Sequence, residues 1–300
     1  MCIRCSFLVV ALWSSVVPAK ADITIRDFSS ATNDRFTNDP AFIMNGFDLS
    51  GVGLTTGGGR WATAISRNVL IGAFHFSPGG QIEFSTDNNP NSQMVARSIV
   101  SGTRVGDTDL YLAVLNAPLP NSIAHYSYAT ESVSGDLPGA NAPFPVNPAG
   151  IYQGMNAYLF GRSPVDHSGF PRDQAVGRNL VTGYSENVPF NGSDNDSILF
   201  EFDNEGAPDA QVFEARFQGG DSGGPAFVDI DGELRLIGTN AFIYGDGDFT
   251  NPGIGSGINY TGNQADFIGN FIAANAVPEP GSLLVLSSLI ALLARRRQRP

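Results

Sequence analysis

The sequence predicts an all-β protein. Glycine and proline are abundant, 35 and 19 of 300 residues. The apolar residues, 42% of the chain, fall mostly in runs too short for helices and bounded by turn-forming residues. No internal repeat of the ~20–50-residue kind is visible, which argues against a solenoid or propeller. The length suffices to bury a large core in one or two domains.

The N-terminal stretch reads as a targeting segment. Arg4 supplies a positive start, Phe7 to Val17 an apolar stretch, and Ala19-Lys20-Ala21 a small-x-small cleavage site. Residues 1–21 are therefore expected to be a signal peptide and the working chain to begin near Asp22. Both cysteines, Cys2 and Cys5, fall inside this segment, so the exported chain would depend on its core without disulfides. Cys5 precedes the apolar stretch instead of ending it, which argues against a lipid-anchored start. Between residues 22 and 276 there are 11 arginines against 28 acids, an excess of 17 negative charges. Such a surface repels nucleic acid and anionic lipid, so neither is an expected partner.

Residues 22–50 are polar and mixed, with a weak apolar patch at Ala41 to Met44; they read as a leading arm and a first strand. Arg60 to Ser66 and Asn68 to His75 read as two strands joined by a turn at Ser66-Arg67. Asp107-Thr108-Asp109 is followed by apolar alternation from Leu110 to Leu115. Residues 131–150 are rich in Pro and Gly without periodicity and suit a linker. Asn156 to Gly161, Ala175 to Val181, Ile198 to Asp203 and Leu234 to Phe242 are further strand-like stretches. Asp231-Gly232, between two apolar runs, is a hairpin turn first. Asn263 to Ala274 places Phe267, Ile268, Phe271 and Ile272 at helical spacing.

One stretch carries chemistry by itself. Gly219-Gly220-Asp221-Ser222-Gly223-Gly224-Pro225 sets a serine in a glycine-rich turn, ahead of the apolar run Ala226-Phe227-Val228. Glycines on both sides allow backbone angles that push the hydroxyl outward. The N–H groups of Gly220 and Ser222 can then serve one developing oxyanion. This motif resembles that of the chymotrypsin/trypsin-like serine peptidases, and the remaining stretches fall into that family's order over roughly residues 50–274.

The resemblance implies two six-stranded antiparallel β-barrels, roughly residues 22–130 and 151–262, with a short C-terminal helix at 263–274; the peptidase domain would span 22–276. It implies a triad of His75, Asp109 and Ser222, with Gly220 and Ser222 forming the oxyanion hole. Asp107 competes with Asp109 but puts the apolar alternation out of step. The family's histidine usually stands in Thr-Ala-Ala-His-Cys; here the segment is Ile71-Gly72-Ala73-Phe74-His75-Phe76. His125 and His167 do not end an apolar strand pair and read as structural or exposed. For the substrate pocket the resemblance points to Arg216, Ala241, Phe242 and Ile243. Arg216 and Ile243 argue against a preference for Lys or Arg, and Ala241 replaces a serine that usually bonds the triad aspartate. In this family Asp221 is buried and pairs with an amine created by activating cleavage. The nearest match to such a site is Ile43-Met44-Asn45-Gly46, whereas an internal donor would leave the chain from Asp22 active as exported.

Three acidic clusters invite a calcium reading: Asp194-Asn195-Asp196, Asp229-Ile230-Asp231-Gly232-Glu233 and Asp246-Gly247-Asp248. The second begins like a calcium loop but lacks the bidentate acid in frame, so no metal and no cofactor is expected. Asn191-Gly192-Ser193 is a glycosylation sequon by pattern. Residues 277–300 form a separate device: Val277-Pro278-Glu279-Pro280-Gly281, an apolar run from Ser282 to Ala294, then Arg295-Arg296-Arg297-Gln298-Arg299. This resembles a PEP-CTERM sorting signal, implying a bacterial envelope protein, transiently membrane-anchored and handled by an exosortase-type enzyme. The run is shorter than the ~20 residues that span a bilayer comfortably, and its arginines would stay cytoplasmic. The expected function is an exported, monomeric serine endopeptidase acting on protein or peptide. The alternative is a non-catalytic binding or matrix protein on the same scaffold.

Overall fold

Pleating decides how the first half of the chain folds, because successive side chains of a strand serve opposite faces. Val69 and Ile71 join one apolar cluster while Leu70 joins another, and Leu110 and Leu112 separate from Ala113 and Leu115 in the same way. The structure, a computed structural model, describes residues 22–57, 59–134, 146–165, 171–203, 205–245 and 254–276. The signal-like segment 1–21, the tail 277–300, much of the linker, His167 and Asp246-Gly247-Asp248 lie outside the described residues.

The chain opens with β1 (Thr24–Ile25) and a single helical turn, α1 (Ser30–Asn33). Six strands follow: β2 (Val52–Thr55), β3 (Trp61–Ala64), β4 (Val69–Ala73), β5 (Gln81–Ser85), β6 (Met94–Arg104) and β7 (Leu110–Leu115). They pair antiparallel in the order β2-β3-β4-β7-β6-β5 and close into a barrel. The expected β3–β4 hairpin is present, with the Ser66 hydroxyl accepting from Asn68 N and Val69 N.

The second half supplies β8 (Ser127–Tyr128), β9 (Asn156–Gly161), β10 (Ala175–Leu180), β11 (Gly183–Phe190), β12 (Ser193–Glu201), β13 (Ala215–Arg216), β14 (Pro225–Ile230), β15 (Glu233–Tyr244) and β16 (Gly255–Tyr260). Seven of these run β10-β9-β14-β15-β16-β12-β11 in one sheet, with β8 added beside β15. Among the described residues no strand ladder joins its ends, so a second closed barrel is not seen. The β14–β15 turn is the expected hairpin, with Asp231 (φ 56°) and Gly232 (φ 87°) both left-handed. The helix α2 (Ala265–Ala274) closes the described chain. Its Ile268 is buried while Phe267 is 41% exposed. Among the described residues no helix is long and apolar enough to cross a membrane.

Two expectations about the leading arm need correction. The patch Ala41 to Met44 forms turns, not a strand; Asn38 enters the left-handed region (φ 57°), Pro40 follows, and Phe42 N donates to Asp39 O. The arm also begins on the second half, not in the first barrel. There β1 pairs with β13, and Ile23 and Ile25 are buried in the second half's core.

Barrel and sheet share an apolar seam. Leu54, Trp61, Ile71 and Leu112 of the barrel cluster with Phe160, Val176, Phe227 and Leu236 of the sheet. Trp61 meets Phe160 edge-on at 6.4 Å, and Tyr126 meets Phe227 at 4.6 Å. Each such buried side chain contributes about 1.5–3 kcal/mol. The seam therefore fixes the two halves against one another, and the polar residues discussed below lie along its edge.

Candidate active site

Strand β4 ends at Ala73, and two residues later the chain presents His75. Asp109 immediately precedes β7, the partner of β4 in the barrel, through the pairing Ala73↔Leu110. The backbone reinforces this approach: Phe74 N donates to Asp109 O at 2.6 Å. The buried Asp109 carboxylate accepts from His75 N through Oδ1 at 2.7 Å and lies 2.6 Å from His75 Nδ1 through Oδ2. With a carboxylate on Nδ1, that nitrogen carries the proton and donates it. Nε2 is thereby left as an acceptor, and Ser222 Oγ stands 2.8 Å from it.

The structure therefore brings His75, Asp109 and Ser222 into one hydrogen-bonded line across the seam. Asp107 does not enter it; its carbonyl accepts from Arg104 Nη2 and from Asp194 N. His125 is exposed and lies outside the line. Phe74, in place of a small residue, does not cover His75. Its ring is 40% exposed and packs against Tyr111 and under the Arg104 guanidinium, 4.9 Å from the ring centre.

The turn bearing Ser222 owes its shape to glycine at two positions. Gly220 has φ 101° and Gly223 φ 84°, both in the left-handed region. A Cβ at Gly223 would also meet Ala73 N at 3.0 Å. Asp221 N donates to Gln218 O, Gly223 N to Asn240 O, and Gly224 N to Asp221 O. Among the described residues, the N–H groups of Gly220 and Ser222 have no protein acceptor. Trp61 Nε1 donates to Gly220 O at 3.3 Å, tying the turn to the barrel.

Asp221 is fully buried beneath this turn and accepts from Arg162 N and Gln218 N, each at 2.7 Å. Burial still outweighs these two donors and raises its pKa to about 8. Ile43 is not among its partners; Ile43 N donates to Thr32 O. The segment beside the carboxylate is the start of the described chain. A Cβ at Gly161 would meet both Ile23 Cβ, at 2.5 Å, and Asp221 Oδ1, at 2.7 Å.

Sequence reasoning missed two asparagines. Asn259, on β16, donates through Nδ2 to Asp109 Oδ2 at 3.2 Å, the role left open by Ala241. Asn195, on β12, accepts from Asp109 N at 2.7 Å and donates to Val188 O. It is the middle residue of Asp194-Asn195-Asp196, so one candidate calcium cluster turns its asparagine toward Asp109. No local pattern marks either residue, since each acts only through strand pairing distant in sequence.

Ala241, Phe242 and Ile243 line a cavity that opens on Ser222. The β15–β16 register shifts between Asn240 and Phe242, and such a bulge lets consecutive residues share a face. Arg216 is a correction. Among the described residues it does not line this cavity, and its neighbour Phe217 does. Arg216 pairs in register with Thr24 at the β13–β1 edge and is buried close enough to Tyr244 to interact with it electrostatically. No protein-family model matches the chain, and no curated protein matches it.

Proposed function

We propose that this chain is an exported serine endopeptidase of the trypsin-like kind. The observation that carries this is the line Asp109–His75–Ser222, at 2.6 and 2.8 Å, beside two N–H groups without acceptors among the described residues. Ser222 Oγ attacks the carbonyl carbon of a peptide bond while its proton passes to His75 Nε2. The Gly220 and Ser222 N–H groups receive the oxyanion. The intermediate collapses to an acyl-serine, and His75 returns the proton to the departing amine. Water then repeats the sequence in reverse and frees the acid. Asp109 holds the Nδ1–H tautomer and balances the imidazolium charge, while Asn259 and Asn195 keep Asp109 in place. No cofactor is required.

The finer architecture belongs to the same proposal. We read the second sheet as a barrel like the first, because Asn179 of β10 donates to Glu201 O of β12 across its opening at 2.7 Å. Residues 1–21 would direct export, and residues 277–300 would serve an exosortase-type enzyme at the cell envelope. The substrate is protein or peptide, and the enzyme acts as a monomer.

The test uses residues 22–276, their Ser222→Ala variant, a fluorophosphonate probe and casein. The parent should be labelled and should hydrolyse casein. The variant should do neither while unfolding at the same denaturant concentration. Equal labelling of both would sink the triad. A folded parent with neither labelling nor hydrolysis would instead favour the binding-module alternative.

A further inference from the structure

Ser222 opens onto a cavity of about 200 Å³ whose walls are mostly hydrocarbon and aromatic. Phe190, Phe217, Ala241, Phe242 and Ile243 form them, on three separate segments of the second half. Phe190 divides the cavity from the imidazole, edge-on to His75 at 5.1 Å and tilted against Phe242 at 5.8 Å. The amide nitrogens of the polar side chains beside Ser222 are already engaged, while Asn240 Oδ1 is buried without a partner among the described residues. Gln218 Nε2 donates to Thr24 Oγ1, and Asn240 Nδ2 donates to Phe160 O and Asp221 O. Among the described residues no charged side chain lines the cavity.

We propose that this cavity seats the side chain of the residue whose carbonyl Ser222 attacks, and that it selects a large apolar one: Leu, Met or Phe. This rests on the hydrolase reading above. A Lys, Arg, Asp or Glu side chain would lose its water here without meeting an opposite charge in the lining, which is strongly unfavourable. A small side chain would leave the space unfilled, and each missing methylene in an apolar pocket costs about 10–200-fold in kcat/KM. Arg216 is not among the residues that line the cavity. Selection falls instead to Phe190, Phe217 and Phe242.

The experiment has two arms. In the first, kcat/KM is measured on peptide anilides that differ only at the residue before the anilide. Leu, Met or Phe should exceed Ala by on the order of 10²-fold, with Lys, Arg, Asp and Glu below Ala. In the second, peptide acids ending in Leu, Phe, Ala, Lys or Glu are titrated against Ser222→Ala, with the same order of affinity expected. This arm reads the cavity without any chemistry, so a chain that hydrolyses nothing overturns the hydrolase reading while the affinity series still decides the pocket. A flat series, or one led by Lys, Arg, Asp or Glu, overturns the pocket. Ile243→Glu supplies a further check: the side chain is 47% exposed at the cavity, so the fold should tolerate the change. A carboxylate there should raise the Lys-to-Leu ratio by on the order of tenfold; an unchanged ratio would place the selected side chain elsewhere.

Discussion

The closed barrel and the open sheet are both antiparallel, yet their interiors differ. The barrel strands β3, β4 and β7 bury Trp61, Val69, Leu70, Ile71, Leu110 and Leu112, a nearly pure hydrocarbon lining. The sheet strands bury amides as well, Asn179, Asn195, Asn240 and Asn259, and the segments beside them bury the ionisable Asp221 and Arg216. The barrel holds its part of the site by shape, presenting His75 and Asp109 at strand ends. The sheet holds its part by hydrogen bonds, with asparagines reaching from one strand to the backbone or carboxylate of another. Apolar packing can fix a strand's position, but orienting a carboxylate or a turn takes directional bonds.

The sharpest way to join the two regions is at Asp109, the barrel residue the sheet holds. Asp109→Asn should lower kcat by about 10⁴-fold, since an amide favours the wrong imidazole tautomer, with little change in KM. A loss below tenfold would show that the barrel acid does not set the tautomer.

The barrel's hydrocarbon lining should respond in stability instead. Leu112→Ala is expected to cost about 2–5 kcal/mol in urea unfolding, with kcat per folded molecule unchanged. An equal loss in kcat would mean that packing in this lining also tunes the chemistry.

The sheet's polar interior should make stability depend on pH. Burial raises Asp221 to about 8, above its ordinary 3.8. The folded chain thus keeps a proton that the unfolded chain releases. That contribution is complete below the ordinary value and is lost as pH rises through about 8. Burial and Asp203 raise Glu214 in the same direction. Unfolding free energy should therefore fall between pH 4 and pH 8, and Asp221→Asn should flatten that slope without removing it. An unaltered slope would mean that Asp221 is ionised throughout.

The smallest expected effect is at Asn259. Asn259→Ala removes one of the donors to Asp109 and should lower kcat about 10–100-fold, leaving KM unchanged and stability lower by about 1–3 kcal/mol. Lost stability with unchanged kcat would reduce Asn259 to a structural residue.

The same contrast explains what could be read in the sequence. Strands β3, β4, β7, β9, β10 and β15 and helix α2 were legible because apolar periodicity is a local signal. The serine turn was legible because its glycines and aspartate are contiguous. Strand β16 was not: Gly255 and Gly257 interrupt its apolar pattern. They are packing residues, for a Cβ at Gly255 would meet Tyr244 Cζ and one at Gly257 would meet Phe242 Cζ. Strand β11 hides behind Pro189 and the left-handed Asn187 (φ 52°). Strand β6 carries Ser98, Ser101, Gly102 and Thr103 and lacks a continuous apolar face. Asn195 and Asn259 acquire meaning only when strands β12 and β16 meet the end of β7. Arg216 was misplaced because counting back from Ser222 does not show which side chains line the cavity.

The bond from Gln218 to Thr24 joins residues 194 positions apart, and that distance has a consequence in time. Contacts so far apart in the chain form late, after the loop-closure entropy between them has been overcome. This bond to the segment carrying Ser222 forms only when the first described residues have returned to it. A chain still emerging, or one stopped after the barrel, holds His75 and Asp109 but not Ser222. The line of His75, Asp109 and Ser222 cannot assemble before the chain has been made as far as Ser222.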